Sequence, residues 1–114
     1  MKSLSQIKLM TNQLDALKEI RTKLSSGFDI KEVILFGSAV RNVSDSESDL
    51  DLLVITQFPI SRNERHLITD LVFEVNLNYA TNFSTLVVDE ESWNRGLYSV
   101  LPINNEILSE GIQI

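Results

Sequence analysis

Apolar residues change their period along the chain, and each change marks an element. Ile7, Met10, Leu14, Leu17, Ile20 and Leu24 recur three or four apart, and Ser25-Ser26-Gly27 supplies a stop. That spacing predicts an amphipathic helix from Ser5 to Ser25. From Glu32 the run Val33-Ile34-Leu35-Phe36 is apolar on both alternating faces, which predicts a central strand covered above and below and ended by Gly37-Ser38. The polar stretch Ala39 to Ser48 reads as a helical turn and then a loop, and the apolar run Leu50 to Ile55 predicts a second strand. After Pro59, Ser61 and Glu64 stand at capping-box spacing. Leu67, Ile68, Leu71, Val72, Val75 and Tyr79 then continue at helical period, so a second long helix follows. Phe73 and Leu77, with His66 and Asp70, project away from that stripe and form an apolar outer face in need of cover. Phe83 to Val88 predict a third strand, Glu90 to Trp93 a helical turn, and Asn104 to Glu110 a last short helix stopped at Gly111.

The order is therefore α-β-β-α-β-α. Two strands separated by a long helix imply a parallel crossover from the second to the third, whereas the loop between the first two leaves their direction open. The expected fold is α/β (α+β): a small mixed β-sheet covered by helices. Composition narrows the setting. The 114 residues fit one domain, 1–114, and exclude two. Sixteen acidic against ten basic residues give a net charge of −6, which speaks against direct nucleic acid binding while allowing a metal to mediate phosphate contact. No cysteine is available for a disulfide or a zinc thiolate. Uninterrupted apolar runs reach only four residues, too short for a membrane helix, and the start at Met1-Lys2 lacks a signal-peptide core. A cytoplasmic setting is expected.

The chemically informative span is Leu35-Phe36-Gly37-Ser38, ten residues, then Asp49-Leu50-Asp51-Leu52. In a strand, residues two apart share a face, so Asp49 and Asp51 project together while Leu50 and Leu52 turn into the core. Two carboxylates so close repel, and a divalent cation relieves the repulsion. Hard oxygen ligands at an open edge suit Mg2+, which keeps waters and accepts phosphate oxygens. Gly37 lets backbone approach a bound anion, Ser38 adds a hydroxyl and an N–H, and Arg41 is placed to neutralise a terminal phosphate or to pair with a neighbouring acid. A Gly-Ser dipeptide alone is an ordinary turn; with Asp-x-Asp at this interval it points to a nucleotide site. Phosphatases and glycosyltransferases that use Asp-x-Asp place the apolar strand before the acids, whereas Leu52 to Ile55 follow them here.

Leu35 to Ile55 resembles the Gly-Ser, spacer, Asp-x-Asp pattern of the DNA polymerase beta superfamily. More narrowly it resembles the minimal nucleotidyltransferases (MNT), small domains often encoded beside a helical ribonuclease toxin of the HEPN type. The resemblance implies a polymerase beta-like nucleotidyltransferase fold, in which Gly37 and Ser38 hold the phosphates of ATP or another nucleoside triphosphate. It further implies that Asp49 and Asp51 are catalytic and ligate two Mg2+ ions, with Arg41 at a position that is often basic and Asn42 where the family frequently has glycine. The implied reaction moves AMP from ATP to a hydroxyl, a tyrosine of a HEPN partner being the candidate acceptor. The family generally carries a third carboxylate near the start of the strand after the long helix, where this chain has Ser84 and Thr85. Asp89 lies four residues further along, roughly 13 Å at strand rise, and Glu74 projects between core and solvent.

The missing acid opens an alternative: an antitoxin-like subunit, weak or inactive as an enzyme, that works by protein binding. The Phe73 and Leu77 face is then the expected contact, with a HEPN partner or with a second copy of the chain. His66 has no companion at ligand spacing and is expected to be a surface residue, while Trp93, Phe28 and Phe36 are expected to pack.

Overall fold

The computed structural model describes residues 7–37 and 50–114. Helix α1 spans Thr11–Gly27 and leads into strand β1, Ile30–Phe36, which is followed by β2, Leu50–Thr56. Helix α2, Arg62–Tyr79, joins β2 to β3, Phe83–Asp89. A short helix α3, Glu90–Asn94, a 3-10 turn at Leu97–Val100 and helix α4, Pro102–Glu110, precede a two-residue strand β4, Ile112–Gln113. The sheet order is β3-β2-β1-β4. β2 and β3 run parallel, as the intervening helix requires, and β1 is antiparallel to both β2 and β4. The mixed sheet expected from the sequence is thus present, with β1 and β2 at its centre.

Alternation along the central strands feeds two cores. Val33 and Leu35 of β1, with Leu50, Leu52 and Val54 of β2, pack under α1 and α2 against Leu17, Ile20, Ile68 and Val72. Ile34, Leu53, Ile55 and Val88 project to the opposite face, where Trp93 and Ile107 cover them. This two-sided cover is why both strands read as continuous apolar runs.

The structure departs from the sequence pattern at a boundary, at a core position and in an added strand. Helix α1 begins at Thr11, not Ser5. Ile7 and Leu9 still pack on the core, but from a non-helical segment, and the Gln13 side chain accepts the Met10 N–H at 2.8 Å to close the helix start. Burial, which periodicity records, does not require helical backbone there. Leu67, placed in the core stripe of α2 by its spacing, is 52% exposed. Strand β4 escapes a periodicity reading because two residues have no period, yet Ile112 is fully buried opposite Leu35. The helical turn and loop expected over Ala39 to Ser48 lie outside the described residues.

Strand β3 forms one border of the sheet, and α2 occupies part of its outer side. The Asn76 side chain donates to the Phe83 carbonyl at 2.9 Å and accepts the Phe83 N–H at 2.9 Å. About three turns earlier on the same helix, Arg65 donates to the Val87 carbonyl. Backbone groups of a border strand are in this way satisfied by side chains.

Candidate active site

The mouth of the site is a row of three residues across three strands. Phe36, at the end of β1, lies opposite Asp51 of β2, and Asp51 lies beside Ser84 of β3. Leu50 and Leu52 are fully buried on the α1/α2 side, so the period of two sends Asp51 to the other face. Farther along that face Leu53 and Ile55 are covered by Trp93 and Ile107. At the mouth the cover thins: Phe36 and Asp51 are half-buried and Ser84 is exposed.

Gly37 follows β1 with φ of +88°, a left-handed conformation that L side chains rarely adopt. A Cβ at this position would overlap Asp51 Oδ2. The glycine therefore serves two needs at once, turning the chain out of the strand and leaving room for the carboxylate. The other oxygen, Oδ1, accepts a hydrogen bond from the Ser84 hydroxyl at 2.8 Å. Asp51 is thus seated between a hydroxyl donor and a bare Cα. The sequence pattern located Gly37 and Asp51, and the structure brings them together. Ser38, Arg41 and Asp49 lie outside the described residues.

Ser84 is the residue that the sequence pattern underused. It stood out only as the place where a carboxylate is missing; strand register shows it directly alongside Asp51. Asp89 is accounted for elsewhere. It pairs with Thr56 at the far end of β2, five residues from the Asp51 row and roughly 16 Å away at strand rise. Its carboxylate caps α3, accepting the Ser92 N–H at 3.0 Å and the Ser92 hydroxyl at 2.7 Å. These two bonds, the backbone one foremost, hold Asp89 below the usual carboxylate range. Glu74 is exposed on α2. Among the described residues no three His, Cys, Asp or Glu side chains gather as a cation site. The oxygen donors at the mouth nevertheless suit a hard divalent cation: a carboxylate at a strand end that accepts the Ser84 hydroxyl and that, among the described residues, no lysine or arginine bridges. Beside Ser84 a shallow groove of about 300 Å³ runs between β3 and α2, lined by Phe73, Asn76, Phe83 and Thr85.

The chain matches the family model described as nucleotidyltransferase domain over residues 17–100, a span that contains the Gly37–Asp51–Ser84 cluster. It belongs to the nucleotidyltransferase domain family. A Methanocaldococcus jannaschii relative, provisionally named a protein adenylyltransferase, is 35% identical over 104 residues, covering 90% of this chain and 69% of its own. A solved structure provisionally described as a minimal nucleotidyltransferase superposes with a TM-score of 0.61 at 18% identity, covering 92% of this chain and 97% of that one. A chain from the complex of tri-AMPylated Shewanella oneidensis HEPN toxin with MNT antitoxin gives a TM-score of 0.52 at 17% identity, over 90% of this chain and 71% of that one. The mixed sheet and its helical cover are the nucleotidyltransferase fold, and the resemblance to minimal nucleotidyltransferases drawn from Gly37-Ser38 and Asp49-Leu50-Asp51 is borne out at the level of family.

Proposed function

We propose that this nucleotidyltransferase moves AMP from ATP to a protein hydroxyl, a tyrosine of a HEPN-type partner, and releases pyrophosphate. The observation that carries the reading is the seating of Asp51 against Gly37 at the strand mouth, within the matched family span. The name of the archaeal relative and the AMPylated toxin bound to MNT antitoxin in the Shewanella complex support the acceptor class. In this reading Asp49 and Asp51 hold two Mg2+ ions, Gly37 and Ser38 approach the phosphates, and Arg41 meets the terminal phosphate. Bound metal supplies charge neutralisation of the triphosphate and a lower pKa for the attacking hydroxyl. The acceptor oxygen bonds to the α-phosphorus as the bond to pyrophosphate breaks, and the hydroxyl proton passes to solvent.

The partner is proposed to dock on the outer face of α2. Phe73 and Leu77 are 61% and 68% exposed, and both line a groove that also touches Ser84, the donor to Asp51. We read residues 1–114 as one such domain acting in the cytoplasm; among the described residues no helix is long and apolar enough to cross a membrane.

The decisive experiment combines the purified protein, ATP labelled at the α-phosphate, Mg2+ and the product of a neighbouring gene for a helical protein. Label is expected on a tyrosine of that product, and it should disappear with chelator or with Asp49→Ala plus Asp51→Ala. Tight complex formation without label would replace catalysis by an antitoxin acting through contact. ATP binding undiminished in the double variant would remove the site assignment altogether.

A further inference from the structure

The Asp51 carboxylate is constrained from two sides that belong to different strands. Oδ2 fills the space that a Cβ at position 37 would occupy, and Oδ1 receives the Ser84 hydroxyl at 2.8 Å. A carboxylate at a half-exposed strand end would otherwise sample several orientations, each with a different oxygen facing outward. We infer that Ser84 is a positioning residue for Asp51: by donating to Oδ1 it fixes which lone pairs the carboxylate presents to a divalent cation and its phosphate ligands. The inference rests on the nucleotidyltransferase reading of Asp51, and it adds a residue and a role that the Gly-Ser and Asp-x-Asp pattern does not contain.

The chemistry of the residue type decides what Ser84 does. A serine beside a carboxylate donates its proton and adds no charge, so it relieves the carboxylate; an acid in the same register position would repel it unless a cation lay between them. Asp51 and Ser84 stand at directly paired positions of parallel strands. The site is therefore built to keep its carboxylate in place before the cation arrives, at the cost of one fewer anionic ligand. Outer partners of this kind typically alter metal affinity by 10–100-fold. Ser84 is exposed, so removing its hydroxyl leaves the core untouched.

The test is Mn2+ binding to the full chain, followed by the electron paramagnetic resonance signal of the free ion in the presence of a non-hydrolysable ATP analogue, together with thermal unfolding in chelator and in Mn2+. Ser84→Ala is expected to weaken Mn2+ binding about tenfold with an unchanged circular dichroism spectrum, and Ser84→Thr, which keeps the hydroxyl, to restore it. Ser84→Asp should lower the melting temperature in chelator and recover it in Mn2+, a cation dependence larger than that of the natural protein. Equal Mn2+ affinity in Ser84→Ala, or a Ser84→Asp melting temperature that ignores Mn2+, overturns the positioning role. Failure of the underlying reading looks different: the unaltered protein and Asp51→Asn would then bind Mn2+ and nucleotide equally poorly.

Discussion

At the scale of single residues, the site depends on what position 37 lacks. Replacing Gly37 by alanine places a methyl group against Asp51 Oδ2 and holds an L side chain at φ of +88°. The backbone term alone is about 1–2 kcal/mol. Gly37→Ala is expected to lose about that much stability in urea denaturation and, because Asp51 must yield, to lose label transfer more completely than the stability loss explains. A variant as active as the natural protein would show that Asp51 need not sit against the backbone. Legibility at this scale was uneven for a physical reason. Gly37 and Asp51 are recognisable because their chemistry shows in residue type and spacing. Ser84 lies 33 residues from its partner, and only strand register joins the two.

At the scale of elements, the caps set where helices start. Ser61 caps α2 by accepting the Glu64 N–H at 3.1 Å, as the Ser61 and Glu64 spacing predicted. The cap of α3 was hidden, because Asp89 ends a strand and begins a helix without an intervening loop. Its replacement by alanine is expected to cost about 1 kcal/mol in chemical denaturation. The same carboxylate gives a pH signature. Its folded-state pKa is depressed by the Ser92 bonds, so its contribution is complete above the unfolded carboxylate value, near 4, and is lost as pH falls through the lower folded value. Asp89→Asn keeps a capping oxygen but cannot titrate, so its stability relative to the natural protein should improve across that acidic window. Denaturant midpoints that stay in a constant ratio from neutral pH to about pH 3 would contradict this. The start of α1 teaches the converse lesson: Ile7 and Leu9 are placed by core contact, and their spacing imitates a helix that begins only at Thr11.

At the scale of the whole molecule, the sheet order follows from chain reversal rules that the sequence makes visible. The α2 crossover demanded parallel β2 and β3, while the direction of β1 and the existence of β4 needed the folded chain. The two faces of the sheet are closed by different helices, and on α2 the exposed Phe73 and Leu77 line a groove that also touches Ser84. Phe73→Glu is expected to leave stability within about 0.5 kcal/mol, since the ring is mostly in solvent. The same change should abolish co-elution with the proposed HEPN-type partner on size-exclusion chromatography. Unimpaired co-elution would move the docking face elsewhere on the surface.

The Asn76 and Arg65 bonds to β3 have a consequence beyond holding a helix in place. With both Phe83 groups and the Val87 carbonyl already engaged, an incoming chain that paired along β3 would first have to displace Asn76 and Arg65, which favours recognition there by side chains seated in a cleft. Asn76→Ala would free both backbone groups of Phe83. Light scattering should then report concentration-dependent fibre growth or dimer formation, the behaviour that an unguarded β-ribbon invites.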